Sequence, residues 1–217
     1  MMRDEAEERA QFMLRMRSRG VGDIRLLRAL ERAPRALFMP QRYADIAARD
    51  IALPIGCGQT APPPSIVASM IQTLDVKAGA RVLEIGGGTG YAAALLAQMG
   101  GEILSLERCQ TLAVEAVERL SAFGLHNVAV AFADGLTYAP RDREFDRILV
   151  HGLVEAAPAQ WLEMLAPAGA LVAAMADEET GGQRIVRFAR GAAGIAASAH
   201  GPARTLMPLV RGLARAL

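Results

Sequence analysis

The sequence is short of the residues that mark several functional classes. Only two of its 217 residues are cysteine, Cys57 and Cys109, and they form no CxxC pair. Two cysteines cannot build a disulfide framework. The three histidines (His126, His151 and His200) are scattered, so no zinc-ligand pattern exists and no metal is expected. An excess of either charge is also missing. The 24 basic residues against 23 acidic leave a net charge of +1, which argues against the dense basic surface of a dedicated nucleic-acid binder. Lys77 is the single lysine, all other basic residues being arginine, and with the abundant alanine this reads as compositional drift before function. Long hydrophobic runs are absent too. The charge-free stretch 164–176 is too short for a bilayer and contains Pro167 and Gly169, so no membrane partner is expected. The first 19 residues carry charges throughout and do not form a signal peptide, which points to the cytoplasm.

What is present is the composition of a folded enzyme-sized unit. Hydrophobic residues make up 52% and charged residues 22%, which excludes intrinsic disorder. The first part of the chain predicts helices over 4–19 and 24–33, then a loop-rich segment over 34–64 with Pro34, Pro40, Pro54, Pro62, Pro63 and Pro64, then a helix over 65–74. From Lys77 the pattern alternates. Strands are predicted at 81–85, 102–107, 128–132, 145–150 and 170–175, and helices at 90–99, 110–123 and 159–165. Segments 184–189 and 194–199 predict a hairpin turning through Arg190–Gly191, as an antiparallel edge. Strands alternating with helices imply right-handed parallel βαβ units. The expected fold is therefore α/β: a doubly wound, mostly parallel Rossmann-like sheet with helices on both faces. Residues 77–217 form its core, and residues 1–76 form a helix-and-loop extension covering the site.

The strongest motif is Val82-Leu83-Glu84-Ile85-Gly86-Gly87-Gly88-Thr89-Gly90-Tyr91, a buried strand running into glycines and then a helix. Glycines at 86, 88 and 90 let the backbone turn sharply and approach a ligand closely. The spacing is GxGxG, not the GxGxxG of dinucleotide binding, which disfavours a nicotinamide dehydrogenase. Glu84, one turn before the loop, would repel a phosphate and suit a ligand carrying an ammonium group. Glu107 ends the second strand, where a carboxylate can accept from both ribose hydroxyls. Asp134-Gly135 follows the third strand, where a side chain can meet an adenine amino group and glycine leaves room. Three such features at the carboxyl ends of successive strands converge on one crevice.

The arrangement resembles the class I S-adenosylmethionine-dependent methyltransferases. More narrowly, Leu53-Pro54-Ile55-Gly56-Cys57-Gly58-Gln59-Thr60 followed by Ile66-Val67-Ala68 is similar to the loop of the protein-L-isoaspartate O-methyltransferases. Ala33-Pro34-Arg35, Phe38-Met39-Pro40, Leu106-Glu107-Arg108, Asn127-Val128, Phe145-Asp146-Arg147-Ile148 and Pro208-Leu209-Val210 fall where that family has similar residues. The resemblance covers nearly the whole chain. It implies S-adenosylmethionine as cofactor and S-adenosylhomocysteine as product, held by Gly86, Gly88, Glu107, Asp134 and Gly135, with Glu84, Gly90 and Arg108 beside them. It implies that 59–62 closes over the methionine end and the substrate, with Thr60 and Pro62 at the reacting centre and Gln59 against the substrate. His151, the histidine at a strand's carboxyl end near the proposed site, is a candidate substrate contact. The implied reaction methylates the α-carboxylate of L-isoaspartyl residues in damaged peptides or proteins, a repair step.

The departures cluster on the substrate side. The family carries a hydroxyl residue after Gln-Thr-Ile, whereas here Gln59-Thr60-Ala61 is followed by Pro62, which offers neither a side-chain nor a backbone donor. Where the family has Thr-Ala-Ala-Ala-Pro, the chain has His151-Gly152-Leu153-Val154-Glu155. Two other readings follow: a divergent member with a different acceptor, or a cofactor-binding protein without isoaspartyl activity. Cys57 stands where relatives have an aromatic and reads as a packing residue, Cys109 as a helix start, His126 and His200 as solvated, and Trp161 as core or interface.

Overall fold

The structure is a computed structural model that describes residues 2–140, 142–203 and 206–215, with side chains from residue 6 onward. Two helices open the chain, α1 (Met2–Ser18) and α2 (Ile24–Arg32). Asp23 caps α2, its carboxylate accepting the Arg25 N–H at 2.8 Å. Two short 3-10 helices follow (Arg35–Phe38 and Gln41–Ile46), then a small hairpin of β1 (Leu53–Pro54) and β2 (Thr60–Ala61). Helix α3 (Pro64–Leu74) begins with proline at a position where the missing N–H costs nothing. It ends on Asp75 in the left-handed region, at φ 55°.

The remaining elements build one sheet. They are β3 (Arg81–Ile85), α4 (Tyr91–Gln98), β4 (Glu102–Glu107), α5 (Gln110–Ala122), β5 (Val128–Phe132), β6 (Phe145–Val154), α6 (Ala159–Glu163), β7 (Leu165–Asp177), β8 (Gly182–Gly191) and β9 (Gly194–Pro202). The order across the sheet is β5-β4-β3-β6-β7-β8-β9. The first five strands are parallel, and β8 and β9 run antiparallel at one edge. β3 is the middle one of the five parallel strands, and the order reverses on its two sides. That reversal is where open α/β sheets place their ligand crevice.

Alternation along the strands sorts the core. Val82, Leu149, Val172 and Ala174 pack with residues of α1 through α5 on one face. Leu83, Ile85, Ile148, Val150, Leu171 and Ala173 pack with Trp161 of α6 on the other. Both faces are buried, which is why these strands read as continuous apolar runs. The elements before β3 belong to the first of these clusters, with α3 lying against β6, β7 and β8.

The regular elements fall where the sequence places them, with local differences in the second half. β6 continues to Val154, four residues past the expected end, because Leu153 and Val154 pair with Ala174 and Met175. α6 stops at Glu163, since the Phe145 N–H takes the Met164 carbonyl at 2.8 Å and Leu165 already pairs with Phe145. The β8–β9 turn is Ala192–Ala193, not Arg190–Gly191: Arg190 still pairs with Ile195, and Gly191 with Gly194 closes the hairpin.

Candidate active site

β3 ends at Ile85 and the chain turns through the glycines into α4. Gly86, Gly88 and Gly90 have φ of 82°, 54° and 86°, a region that strains any other residue. The Gly86 and Gly87 N–H groups donate to the Leu106 carbonyl at 2.9 and 3.1 Å, so the loop folds over the end of β4. The Gly88 N–H donates to Glu107 Oε2 at 2.8 Å, and the Cys109 N–H donates to Oε1 at 2.7 Å. Glu107 is thereby fixed at the end of β4, 5% exposed, with a further lone pair on each oxygen.

Gly87 is as constrained as its neighbours, for a different reason. A Cβ there would lie 2.2 Å from Ser105 Oγ and 3.3 Å from Glu84 Oε2. Glu84 is fully buried beneath the loop, where the Ser105 hydroxyl donates to its Oε2. Its other oxygen faces His151 Nε2 at 3.2 Å, within ion-pair reach but off the hydrogen-bond axis. Glu84 thus sits below the loop floor and not on the cleft wall.

The cleft is lined on one side by Gly86, Gly87, Gly88, Thr89, Glu107 and Arg108, and on the other by Gln59, Thr60, Ala61 and Pro62, with Arg35 and His151 also on its walls. The hairpin carrying Gln59 and Thr60 is closed by the Ile55 N–H on the Gln59 carbonyl (2.9 Å) and by the pairs Leu53↔Ala61 and Pro54↔Thr60. Cys57 at its tip has φ 58°, and its side chain packs on the core.

The chain end crosses this crevice. Leu206 is held by both amide atoms of Gln183 (2.9 and 3.0 Å). Met207 and Leu209 pair with Leu153, and Gly152 has no side chain because a Cβ would meet Leu209 Cγ at 2.4 Å. Further on, the Gly212 N–H donates to Asp134 Oδ2 at 2.7 Å, Arg108 Nε donates to the Gly212 carbonyl at 2.6 Å, and Ala214 pairs with Cys109. Asp134 Oδ1 accepts the Leu136 N–H at 2.9 Å. Asp134 lies outside the cleft just described, in a shallow depression with Tyr138, Gly212 and Leu213. Gly135 sits where the exit of β5 crosses β3: a Cβ would fall 2.3 Å from Ile85 Cγ2, and its carbonyl accepts the Trp161 indole N–H at 2.8 Å.

Comparison with known proteins decides the family. The family model described as protein-L-isoaspartate(D-aspartate) O-methyltransferase matches residues 7–212. The chain belongs to that family. Among its relatives, the protein-L-isoaspartate O-methyltransferase of Maricaulis maris is 42% identical over 207 residues, covering 95% of this chain and 96% of that protein. The one from Azorhizobium caulinodans is 39% identical over 214 residues, covering 98% and 97%. A solved protein-L-isoaspartate O-methyltransferase superposes with a TM-score of 0.80 at 24% identity, covering 95% of this chain and 67% of that one. A Plasmodium falciparum protein described as the same kind of enzyme, solved in complex with S-adenosyl-L-homocysteine, gives 0.79 at 19% identity, covering 92% and 97%. These two likenesses establish the fold, a Rossmann-like methyltransferase sheet.

Within this family member, the structure brings Gln59, Thr60, Pro62, Gly86, Gly88, Glu107, Arg108 and His151 to one cleft. It places Glu84 beneath the cleft, Gly90 behind the loop against Ala116 and Leu120, Asp134 in a separate shallow depression, and Gly135 packed against Ile85 and Trp161. Among the parts of the site that escape the sequence reading are Gly87, Arg35 and the chain-end stretch 206–210, which also lines the cleft. Gly87 carries a signal, since it is the middle glycine of a run of three. Arg35 carries none beyond its motif neighbours. Among the described residues, no group of three or more His, Cys, Asp or Glu side chains could hold a metal ion. No described helix is long and apolar enough to cross a membrane.

Proposed function

We propose that this family member methylates the free carboxylate of L-isoaspartyl residues in peptides and proteins, with S-adenosylmethionine as donor, in the cytoplasm. The observation that carries the reading is one cleft with two walls: the glycine loop with Glu107, and the Gln59–Pro62 hairpin edge. When bound, S-adenosylmethionine supplies a methyl group on a sulfonium centre, and its thioether product is S-adenosylhomocysteine.

The residues present fit that group. Gly88 leaves open backbone, a Cβ meeting Ile55 Cδ1 at 3.5 Å and the Gly86 carbonyl oxygen at 4.0 Å and nothing closer. Glu107, buried and fixed by two backbone donors, offers its remaining lone pairs to a diol or a cation. Gly86 keeps the loop against the end of β6, where a side chain would meet the His151 carbonyl oxygen at 3.0 Å.

On the other wall the hairpin orients the acceptor. A carboxylate with an ordinary pKa near ~4 is ionised at neutral pH and needs no base. The task left to the protein is alignment of acceptor oxygen, methyl carbon and sulfur, together with exclusion of water. Thr60 and Gln59 carry the polar groups of that wall. Pro62 contributes shape and rigidity. Methyl transfer from labelled cofactor to a synthetic isoaspartyl peptide tests the reading. Transfer is expected, and cofactor binding without it would favour a different acceptor.

A further inference from the structure

Arg35 is 3% exposed, and among the described residues no carboxylate hydrogen-bonds its guanidinium. Instead Nη1 donates to the carbonyls of Ala47 (3.1 Å) and Ile51 (3.3 Å), and Nη2 donates to those of Ala61 (3.4 Å) and Pro62 (2.8 Å). Asp50, the acid nearby, is occupied by Arg19 at 3.0 Å and by the Ser65 N–H at 3.1 Å. Burial pushes the Arg35 pKa down to about 10, so the group stays charged at neutral pH at a desolvation cost. A buried cation with no carboxylate in hydrogen-bond contact is costly, and retaining one asks for a role.

Its partners indicate that role. The β1–β2 hairpin has only two residue pairs, Leu53↔Ala61 and Pro54↔Thr60. Beyond it come Pro62, Pro63 and Pro64, which have no N–H to donate. From Pro62 to Pro64 only carbonyls can anchor the backbone, and Arg35 takes those of Ala61 and Pro62 while its other terminal nitrogen holds the turn over 47–51 that leads into β1. A planar fork with fixed donor directions suits such a four-way clamp, and an ammonium does not. Arg35 also lines the cleft, whose acceptor wall of Gln59, Thr60, Ala61 and Pro62 is neutral.

We propose that Arg35 is a positioning residue for the acceptor: it fixes the Ala61–Pro62 edge from behind and gives that wall of the cleft the positive charge an anionic acceptor needs. The proposal rests on the carboxylate-methylation reading, deepens it, and predicts an effect on the acceptor but not on the cofactor.

Arg35→Met and Arg35→Lys test it in the full chain. Calorimetry with S-adenosylhomocysteine should give affinities within about twofold of the parent for both, which also establishes that the cleft has folded. The KM for an isoaspartyl peptide should rise about tenfold or more in Arg35→Met and less in Arg35→Lys, which keeps the charge. Hydrogen exchange should accelerate in Arg35→Met at the Ile55 amide of the hairpin and not at Gly86 or Gly88. A peptide KM that does not move, or a loss of S-adenosylhomocysteine affinity in the same proportion, would overturn the proposal. The exchange measurement stands apart from activity. If the parent transfers nothing to isoaspartyl peptides, local acceleration confined to the hairpin keeps the clamp and rejects the substrate reading, whereas unchanged or global exchange rejects the clamp.

Discussion

His151 Nε2 lies 3.2 Å from Glu84 Oε1, the Glu84 side chain fully buried beneath the glycine loop and the His151 side chain, on the cleft wall, 7% exposed. Register accounts for the meeting. Glu84 pairs with Ser105 on β4 and with Leu149 on β6, and His151 stands two residues past Leu149 on the same face of the sheet. A carboxylate, a hydroxyl and an imidazole therefore converge under Gly87. A double-mutant cycle with Glu84→Gln and His151→Asn should show coupling of about 0.5–3 kcal/mol in denaturant unfolding, as expected of residues in contact. Additive effects would mean that the two side chains do not interact.

The same cluster dictates Gly87. Its Cβ would fall 2.2 Å from Ser105 Oγ, so Gly87→Ala should destabilise by about 1–3 kcal/mol and weaken S-adenosylhomocysteine binding. Ser105→Gly removes the obstructing hydroxymethyl group, and the double variant should recover most of the binding lost in Gly87→Ala. Failure of that rescue in calorimetry would place the constraint on Gly87 elsewhere.

Glu107 is the carboxylate of the glycine-loop wall. Glu107→Ala should weaken S-adenosylhomocysteine binding by about 1.5–3 kcal/mol, the increment of a hydrogen bond to a charged group. An affinity equal to that of the parent would remove Glu107 from the cofactor site.

The two thiols should differ sharply in reactivity. Burial, then contact with Cys57, pushes the Cys109 pKa up to about 12, so its thiol stays protonated near neutral pH. Cys57 is half-buried on the hairpin. A disulfide reagent at pH 8 should modify one thiol promptly, and the second only in denaturant. Two equally fast equivalents would show that the segment around Cys109 opens readily.

Much of this was legible in the chain. The limits of β3, β4 and β5 follow from their apolar runs and the flanking glycines, and Gly86, Glu107 and the Gln59–Pro62 segment are marked by their place after strands or in the family loop. Three things were not legible, for physical reasons. The seat of the chain end over Asp134 and Arg108 depends on backbone hydrogen bonds, which any residue can make. Glu84 carries the same code whether it faces a ligand or a buried serine, and only the register with Ser105 decides. Arg35 makes contacts to carbonyls scattered over 47–62, and carbonyls leave no trace in side-chain identity.

Pro62 is the departure with the clearest consequence for rate. Restoring a hydroxyl with Pro62→Ser should raise turnover on isoaspartyl peptides, by up to about 10²-fold if that donor acts as other positioned donors do. An unchanged rate would assign acceptor positioning to the backbone, held by Arg35 through the Pro62 carbonyl at 2.8 Å.

The most direct test is a paired transfer assay on two peptides of one sequence, one with an L-isoaspartyl residue and one with ordinary L-aspartate. Labelled S-adenosylmethionine is the donor, and transferred methyl is counted as methanol released from the ester at alkaline pH. Release from the isoaspartyl peptide alone is the expected result. Equal release from both peptides, or none from either by a protein that binds S-adenosylhomocysteine, would contradict it.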